Sequence, residues 1–218
     1  MIRLNKAEKP SILKEMEAEW TEEYAAYKRG ELVPKAAQTR YRHIDIKQTL
    51  RQETHDKCIY CESKISHVFP GEIDHIRPLS KRHDLVVQWE NLAYICKECN
   101  REKSDYYSEA EPLINPYFED PAQSLIFYGP IVLHRTGNAK GLRTLHQLKL
   151  KSRMSLVERR KERIEALQIL LDLFISYPDG YTRKMLGEQI REACTEDKEF
   201  SACLKEFVRQ SGIFEADD

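Results

Sequence analysis

The apolar positions of this chain fall into three regimes. From the start to about residue 55 they recur at helical spacing. Leu13, Met16 and Trp20 mark one helix, with Ser11 placed to cap it and Gly30 to end it. Ile44, Ile46 and Leu50 mark a second, expected over about 35–53. Tyr41 and His43 in this stretch read as core or helix-face residues. Over 56–105 the helical period fades. Past Pro112, Pro116 and Pro121, the runs 124–128 and 131–135 flank Gly129-Pro130 and predict a short β-hairpin. From about Gly141 helical spacing returns, with Met154, Val157, Ile164, Leu167, Leu171 and Phe174 on one stripe. Tyr177-Pro178-Asp179-Gly180 is a turn, and two more short helices follow before the acidic end, Glu215 to Asp218.

The expected fold is mainly α (an α+β chain) with a small ββα-metal core, helical N- and C-terminal extensions and a short hairpin. Three segments are expected: a helical 1–55, a core at 56–108, and a hairpin plus helices at 109–218.

Composition narrows the function classes. The 218 residues are 41% hydrophobic and 33% charged, with a formal net charge of −1. That is too apolar for wholesale disorder and too neutral for a global nucleic-acid signal. The longest apolar run, Ile169 to Ile175, is broken by Asp172 and is too short to cross a bilayer. MIRLNKAEKP has neither an apolar core nor a small-residue cleavage site, so no secretory leader is read there and a cytoplasmic protein is expected. In that compartment the six cysteines stay reduced, and a cysteine pattern reads first as metal binding.

The pattern is two CxxC pairs, Cys58/Cys61 and Cys96/Cys99, with 34 residues between them. Each pair turns two thiolates toward one point, and four sulfurs make a closed tetrahedral site for structural Zn(II). A redox pair would need a βαβ setting that is not visible. Cys194 and Cys203 stand apart on helical sequence and read as buried free thiols.

Between the pairs lie Glu72-Ile-Asp-His-Ile-Arg-Pro and Trp89-Glu-Asn-Leu, and Asn-Arg-Glu-Lys follows Cys99. Singly, each residue has a plain structural explanation; Trp89, for one, reads as core. Together, Asp74-His75-Ile76, Pro78, Asn91-Leu92, Asn100 and Lys103 resemble the motif of the HNH endonuclease family, and the polar members suit phosphodiester hydrolysis. Imidazole ordinarily titrates near neutrality, so His75 is expected to take a proton from water. Asp74 and Asn100 offer hard oxygens to Mg(II) or Mn(II), which would offset charge on the phosphate and the leaving oxygen. Arg77 and Lys103 are candidate phosphate contacts, with solvated charge as the plain alternative. His67 and His83 fall outside the pattern.

Residues 58–103 resemble the HNH endonuclease family in every element and in order, with Asn100 where the third letter of the motif is histidine. The resemblance implies a metal-dependent nuclease acting on nucleic acid, DNA favoured, with catalytic residues Asp74, His75, Asn91 and Asn100. It gives Asn91 a supporting role, holding His75 in its pose. The wider layout, with Gly141–Leu150 leading into an Arg-rich helix, is similar to the HNH subunit of Septu-type anti-phage systems, including those found with retrons. That resemblance implies an ATPase partner in a defence complex. The alternative is a zinc knuckle that only binds nucleic acid or protein; such a module has no need of Asp74, His75 and Asn100. The basic stretch 139–163 reads equally as a phosphate track and as a solvated or partner-binding face.

Overall fold

The computed structural model describes residues 1–65 and 70–213. His67 and the acidic end lie outside the described residues. Helix α1 spans Ser11–Lys28. Its cap position is Pro10, whose carbonyl accepts the amide of Leu13, so Ser11 is the first helical residue rather than the cap. The helix buries Leu13, Trp20 and Tyr24.

The second expected helix is shorter than its apolar pattern suggested. Helix α2 runs Ile44–Glu53, and 35–42 forms two single 3-10 turns. His43 is extended, and its ring nitrogen accepts the Asp45 amide at 3.3 Å, which starts the helix afresh. Ile46 and Leu50 are fully buried, while Ile44 is 59% exposed.

Two strands and a helix make the centre. Strand β1 (Glu72–His75) pairs antiparallel with β2 (Leu92–Ile95), Asp74 opposite Ala93 and His75 opposite Leu92. Helix α3 (Lys97–Lys103) follows directly. β2 is buried at every residue and packs on α2. Gly71 enters β1 at φ +59, and a Cβ there would come within 2.3 Å of the Tyr94 ring, so only glycine lets β1 begin where it does.

The hairpin forms as expected, β3 (Leu125–Tyr128) against β4 (Ile131–His134). Helices α4 (Ala139–Gln147), α5 (Met154–Ser176), α6 (Gly180–Ala193) and α7 (Ser201–Ser211) complete the chain. The α5 stripe is buried except for its first member, Met154. Cys194 and Cys203 are buried free thiols, and burial pushes their pKa values up to about 11 and about 12. Both extensions grip the centre. Lys6 donates to the Leu92 carbonyl at 2.7 Å, and Ser201 donates to Glu62 at 2.9 Å. No helix among the described residues is long and apolar enough to cross a membrane.

Candidate active site and metal centre

The four sulfurs of Cys58, Cys61, Cys96 and Cys99 lie within 4.8 Å of one another. The first pair sits on a turn closed by Cys58 N–H to the Ser63 carbonyl at 3.0 Å, with Glu62 in the left-handed region. The second pair opens α3, where Cys96 Sγ accepts the Cys99 amide at 3.4 Å. Burial pushes the Cys58 and Cys99 thiols well up, and hydrogen bonds from the neighbouring sulfurs hold Cys61 and Cys96 down. Alone, the quartet shares its protons. A divalent soft cation would displace them, so the donor set fits Zn(II).

The knuckle ties α3 to the strands, and this places the chemistry. Alternation along β1 sends Glu72 and Asp74 to the α3 face and His75 to the other. On the α3 face Asn100 Nδ2 donates to Glu72 Oε2 at 2.6 Å. Lys103 Nζ lies 3.0 Å from Asp74 Oδ2 and donates to the His75 carbonyl at 2.8 Å. Burial raises the Asp74 carboxyl above its usual range, against the pull of Lys103. Asp74 Oδ2 is buried and, despite the ionic contact, accepts no hydrogen bond. An unsatisfied carboxylate oxygen beside a second carboxylate and an amide is a hard-oxygen set that fits Mg(II) or Mn(II). Lys103, read from sequence as a phosphate contact, is 1% exposed and turned inward.

On the opposite face His75 is 6% exposed. Its Nε2 lies 2.8 Å from the Val86 carbonyl. A carbonyl only accepts, so Nε2 carries the proton and Nδ1 is left as the basic nitrogen. Burial pushes the His75 pKa down to about 4, with the Val86 bond opposing and the charges of Lys103 and Arg42 adding to the fall. The imidazole is neutral at pH 7. The Tyr41 ring meets it edge-on at 4.7 Å between centroids.

Asn91 clamps the loop between the strands. Its Oδ1 accepts the Arg77 amide at 2.7 Å, and its Nδ2 donates to the Arg77 carbonyl at 3.1 Å and the Leu85 carbonyl at 3.3 Å. The Leu85 bond fixes the residue next to Val86, the partner of His75. Arg77 is exposed, its guanidinium 5.8 Å from the Tyr107 ring. It borders a cleft of about 510 Å³ that also touches Asn91 and Lys103 but not His75. His83 is exposed and stands apart from these contacts.

Three contributors escaped the sequence reading. Glu72 sits two residues before Asp74 on one strand, and the i, i+2 rule could have found it. Tyr41 and Arg153, whose guanidinium donates to Cys99 Sγ at 3.0 Å, come from distant sequence and left no local signal. The basic stretch is not a bare phosphate track. Lys140 pairs with Glu119, Arg143 with Glu111, Lys149 with Glu102 and Arg159 with Glu162 and Glu199, while Arg160 is buried.

The centre is thus a ββα unit closed by a four-sulfur knuckle, with an Asp-His step on its first strand. Residues 58–106 match the family described as HNH endonuclease, which establishes that resemblance for the segment. The chain is also similar to the Septu protein PtuB of Bacillus thuringiensis, 32% identical over 126 residues, covering 57% of this chain and 46% of that protein. A Septu protein PtuB of Bacillus mycoides (strain KBAB4) is 28% identical over 152 residues, covering 56% and 52%. The chain thus spans about half the length of the curated relatives it matches.

Proposed function

We propose that this chain is a metal-dependent HNH endonuclease that hydrolyses phosphodiester bonds of nucleic acid, DNA in preference. The observation that carries the reading is the fixed tautomer of His75: Nε2 is committed to the Val86 carbonyl, and Nδ1 remains as a neutral base. A bound Mg(II) or Mn(II) supplies charge to the phosphate and the leaving oxygen. Asp74 and Asn100, with Glu72 beside them, would hold it. Among the described residues β1 pairs with β2 alone. Its alternation sets these oxygens on one face and His75 on the other. Asn91 keeps the Leu85–Val86 segment in place and so keeps Nδ1 aimed. Cys58, Cys61, Cys96 and Cys99 hold a structural Zn(II) that carries no step. Arg77, exposed on the catalytic loop, contacts substrate phosphate.

The similarity to Septu protein PtuB supports a further reading. The chain acts in the cytoplasm as the nuclease of an anti-phage complex with an ATPase partner. Its net charge of −1 gives it modest unaided affinity for a polyanion, which leaves room for control by that partner. The test is a cleavage assay on plasmid DNA, single-stranded DNA and RNA with Mg(II) or Mn(II), with and without the product of a neighbouring ATPase gene. Metal-dependent cleavage lost in His75→Ala supports the reading. Binding without cleavage under every condition would return it to a non-catalytic zinc module.

A further inference from the structure

The site has a wall that the HNH segment does not supply. The chain reaches it through one short turn, Arg40–Arg42, held at both ends. At the near end the Arg40 guanidinium lies 5.3 Å from the Trp20 ring and pairs with Glu23 at 2.9 Å. At the far end His43 caps α2 and sets its ring 5.8 Å from Trp20. The two residues between these anchors are therefore presented in a fixed place. Tyr41 meets the His75 imidazole edge-on, and Arg42 folds back over it. Arg42 Nε donates to the Tyr41 hydroxyl at 3.2 Å, with the guanidinium 5.3 Å from the Tyr41 ring centre.

We propose that Tyr41 and Arg42 are working parts of the nuclease site, Tyr41 seating the His75 imidazole and Arg42 receiving the substrate phosphate. The proposal rests on the nuclease reading above.

Three observations carry it. His75 is otherwise fixed through one atom, Nε2, about which a ring can still pivot; the edge of Tyr41 at 4.7 Å and 70° removes that freedom. The arginines near Arg42 in sequence are matched, Arg40 by Glu23 and Arg51 by Asp56 at 2.6 Å, whereas Arg42 is exposed and has no carboxylate partner among the described residues. Its guanidinium is held beside the Tyr41 ring that meets His75, so it stands next to the site. An exposed guanidinium without a counter-ion, steered over the ring that seats the base, has the planar donor fork that phosphate oxygens take. Lys47 adds to the same positive field. Its ammonium donates to the Gly71 carbonyl at 3.0 Å, and Arg42 is among the charges bearing on it.

The experiment uses the full chain, with its ATPase partner if the lone chain is silent. Three labelled 30-nucleotide probes are used: duplex DNA, single-stranded DNA and RNA. Cleavage kinetics and the salt dependence of binding are measured for the parent, Arg42→Ala, Arg42→Lys, Tyr41→Leu and Tyr41→Phe. Zinc content and melting temperature confirm the fold. Arg42→Ala should raise KM on the order of tenfold. It should also make the plot of log K against log salt for the duplex shallower by about 0.9, one phosphate contact. Arg42→Lys should restore the slope, because it keeps the charge. Tyr41→Leu should lower kcat with little change in KM, and Tyr41→Phe should keep kcat. An unchanged KM and salt slope in Arg42→Ala, or a parental kcat in Tyr41→Leu, from a parent that cuts, would overturn the proposal and leave the nuclease reading standing. A parent that neither binds nor cuts any probe would remove both.

Discussion

The guanidinium of Arg153 donates to Cys99 Sγ at 3.0 Å and reaches Glu98 at 3.4 Å, joining the start of α5 to the cysteine quartet. Burial works against its charge, and the sulfurs of Cys99 and Cys61 more than offset this, so its pKa is held above the usual value. Four thiolates around Zn(II) carry two negative charges in excess. A buried guanidinium on one sulfur neutralises part of that excess and shields the sulfur from protons.

One zinc per chain is therefore expected, bound most tightly when Arg153 is present. Arg153→Gln should fold and still bind zinc, but with affinity lowered by about 10–100-fold, as for other groups that support metal ligands. Competition with a chromogenic chelator measures this. Cys58→Ser or Cys96→Ser should lose the metal and the fold together, because binding and folding are one equilibrium here. Parental zinc affinity in Arg153→Gln would show that the contact is packing alone.

Loss of the base should separate chemistry from structure. His75→Ala removes Nδ1 while leaving the quartet untouched, so zinc content should stay at the parental value and cleavage should fall by about 10²–10⁴-fold. Asn91→Ala should act in part the same way. It frees the Leu85–Val86 segment that holds Nε2 and removes three part-buried hydrogen bonds, to the Arg77 amide and to the Arg77 and Leu85 carbonyls. Cleavage by His75→Ala at the parental rate, with a mock purification as control, would end the general-base assignment.

How far the sequence could be read follows from the range of each signal. The quartet and the hairpin around Gly129-Pro130 are short-range patterns and form where expected, while the Asp74-His75 step falls at the end of β1 and Asn91 just before β2. The 35–53 helix failed because its first half has almost nothing to bury. Ala37 is the buried residue of 35–42, and without an apolar face that stretch collapses into tight turns. Those turns deliver Tyr41 to His75, a contact no periodicity encodes. Lys103 misled for a related reason. Its residue type suggests solvent, but one helical turn after Cys99 the side chain passes beneath β1, where Asp74 and the His75 carbonyl satisfy it.

That burial makes Lys103 testable. Lys103→Met keeps the length of the stem and removes the ammonium, leaving Asp74 buried beside Glu72 without its cation. Breaking a buried pair in this way costs about 3–5 kcal/mol. If Asp74 and Asn100 hold the catalytic ion, Mg(II) or Mn(II) should replace the lost charge. The variant's melting temperature should then rise with added metal more than the parent's does. Equal metal response in the two proteins would argue that Asp74 is not a ligand.

Arg159 and Arg160 are neighbours with opposite fates, and charge reversal distinguishes them. Arg159 is half exposed and pairs with Glu162 at 2.9 Å and Glu199 at 3.3 Å. Screened pairs of this kind are worth less than about 1 kcal/mol, so Arg159→Glu should melt within a few degrees of the parent. Arg160 is 2% exposed, with its guanidinium 5.4 Å from the Phe127 ring and 5.6 Å from the Phe200 ring. It also reaches the Pro130 and Leu150 carbonyls, tying α5 to the hairpin turn and to the connection after α4. A carboxylate there would face carbonyl oxygens and aromatic faces, all of which repel it, at a cost of at least about 3 kcal/mol. Arg160→Glu should therefore lower the melting temperature by about 10 °C or fail to fold, while Arg160→Met, which keeps the stem, should lose far less. Of the two, only Arg159 can report on a surface. If the proposed ATPase partner co-purifies with the parent, its loss in Arg159→Glu, with folding and the salt dependence of nucleic-acid binding unchanged, would put that partner on this face of α5. An Arg160→Glu protein that melts with the parent would show that α5 does not pack against the hairpin and α7 through this side chain.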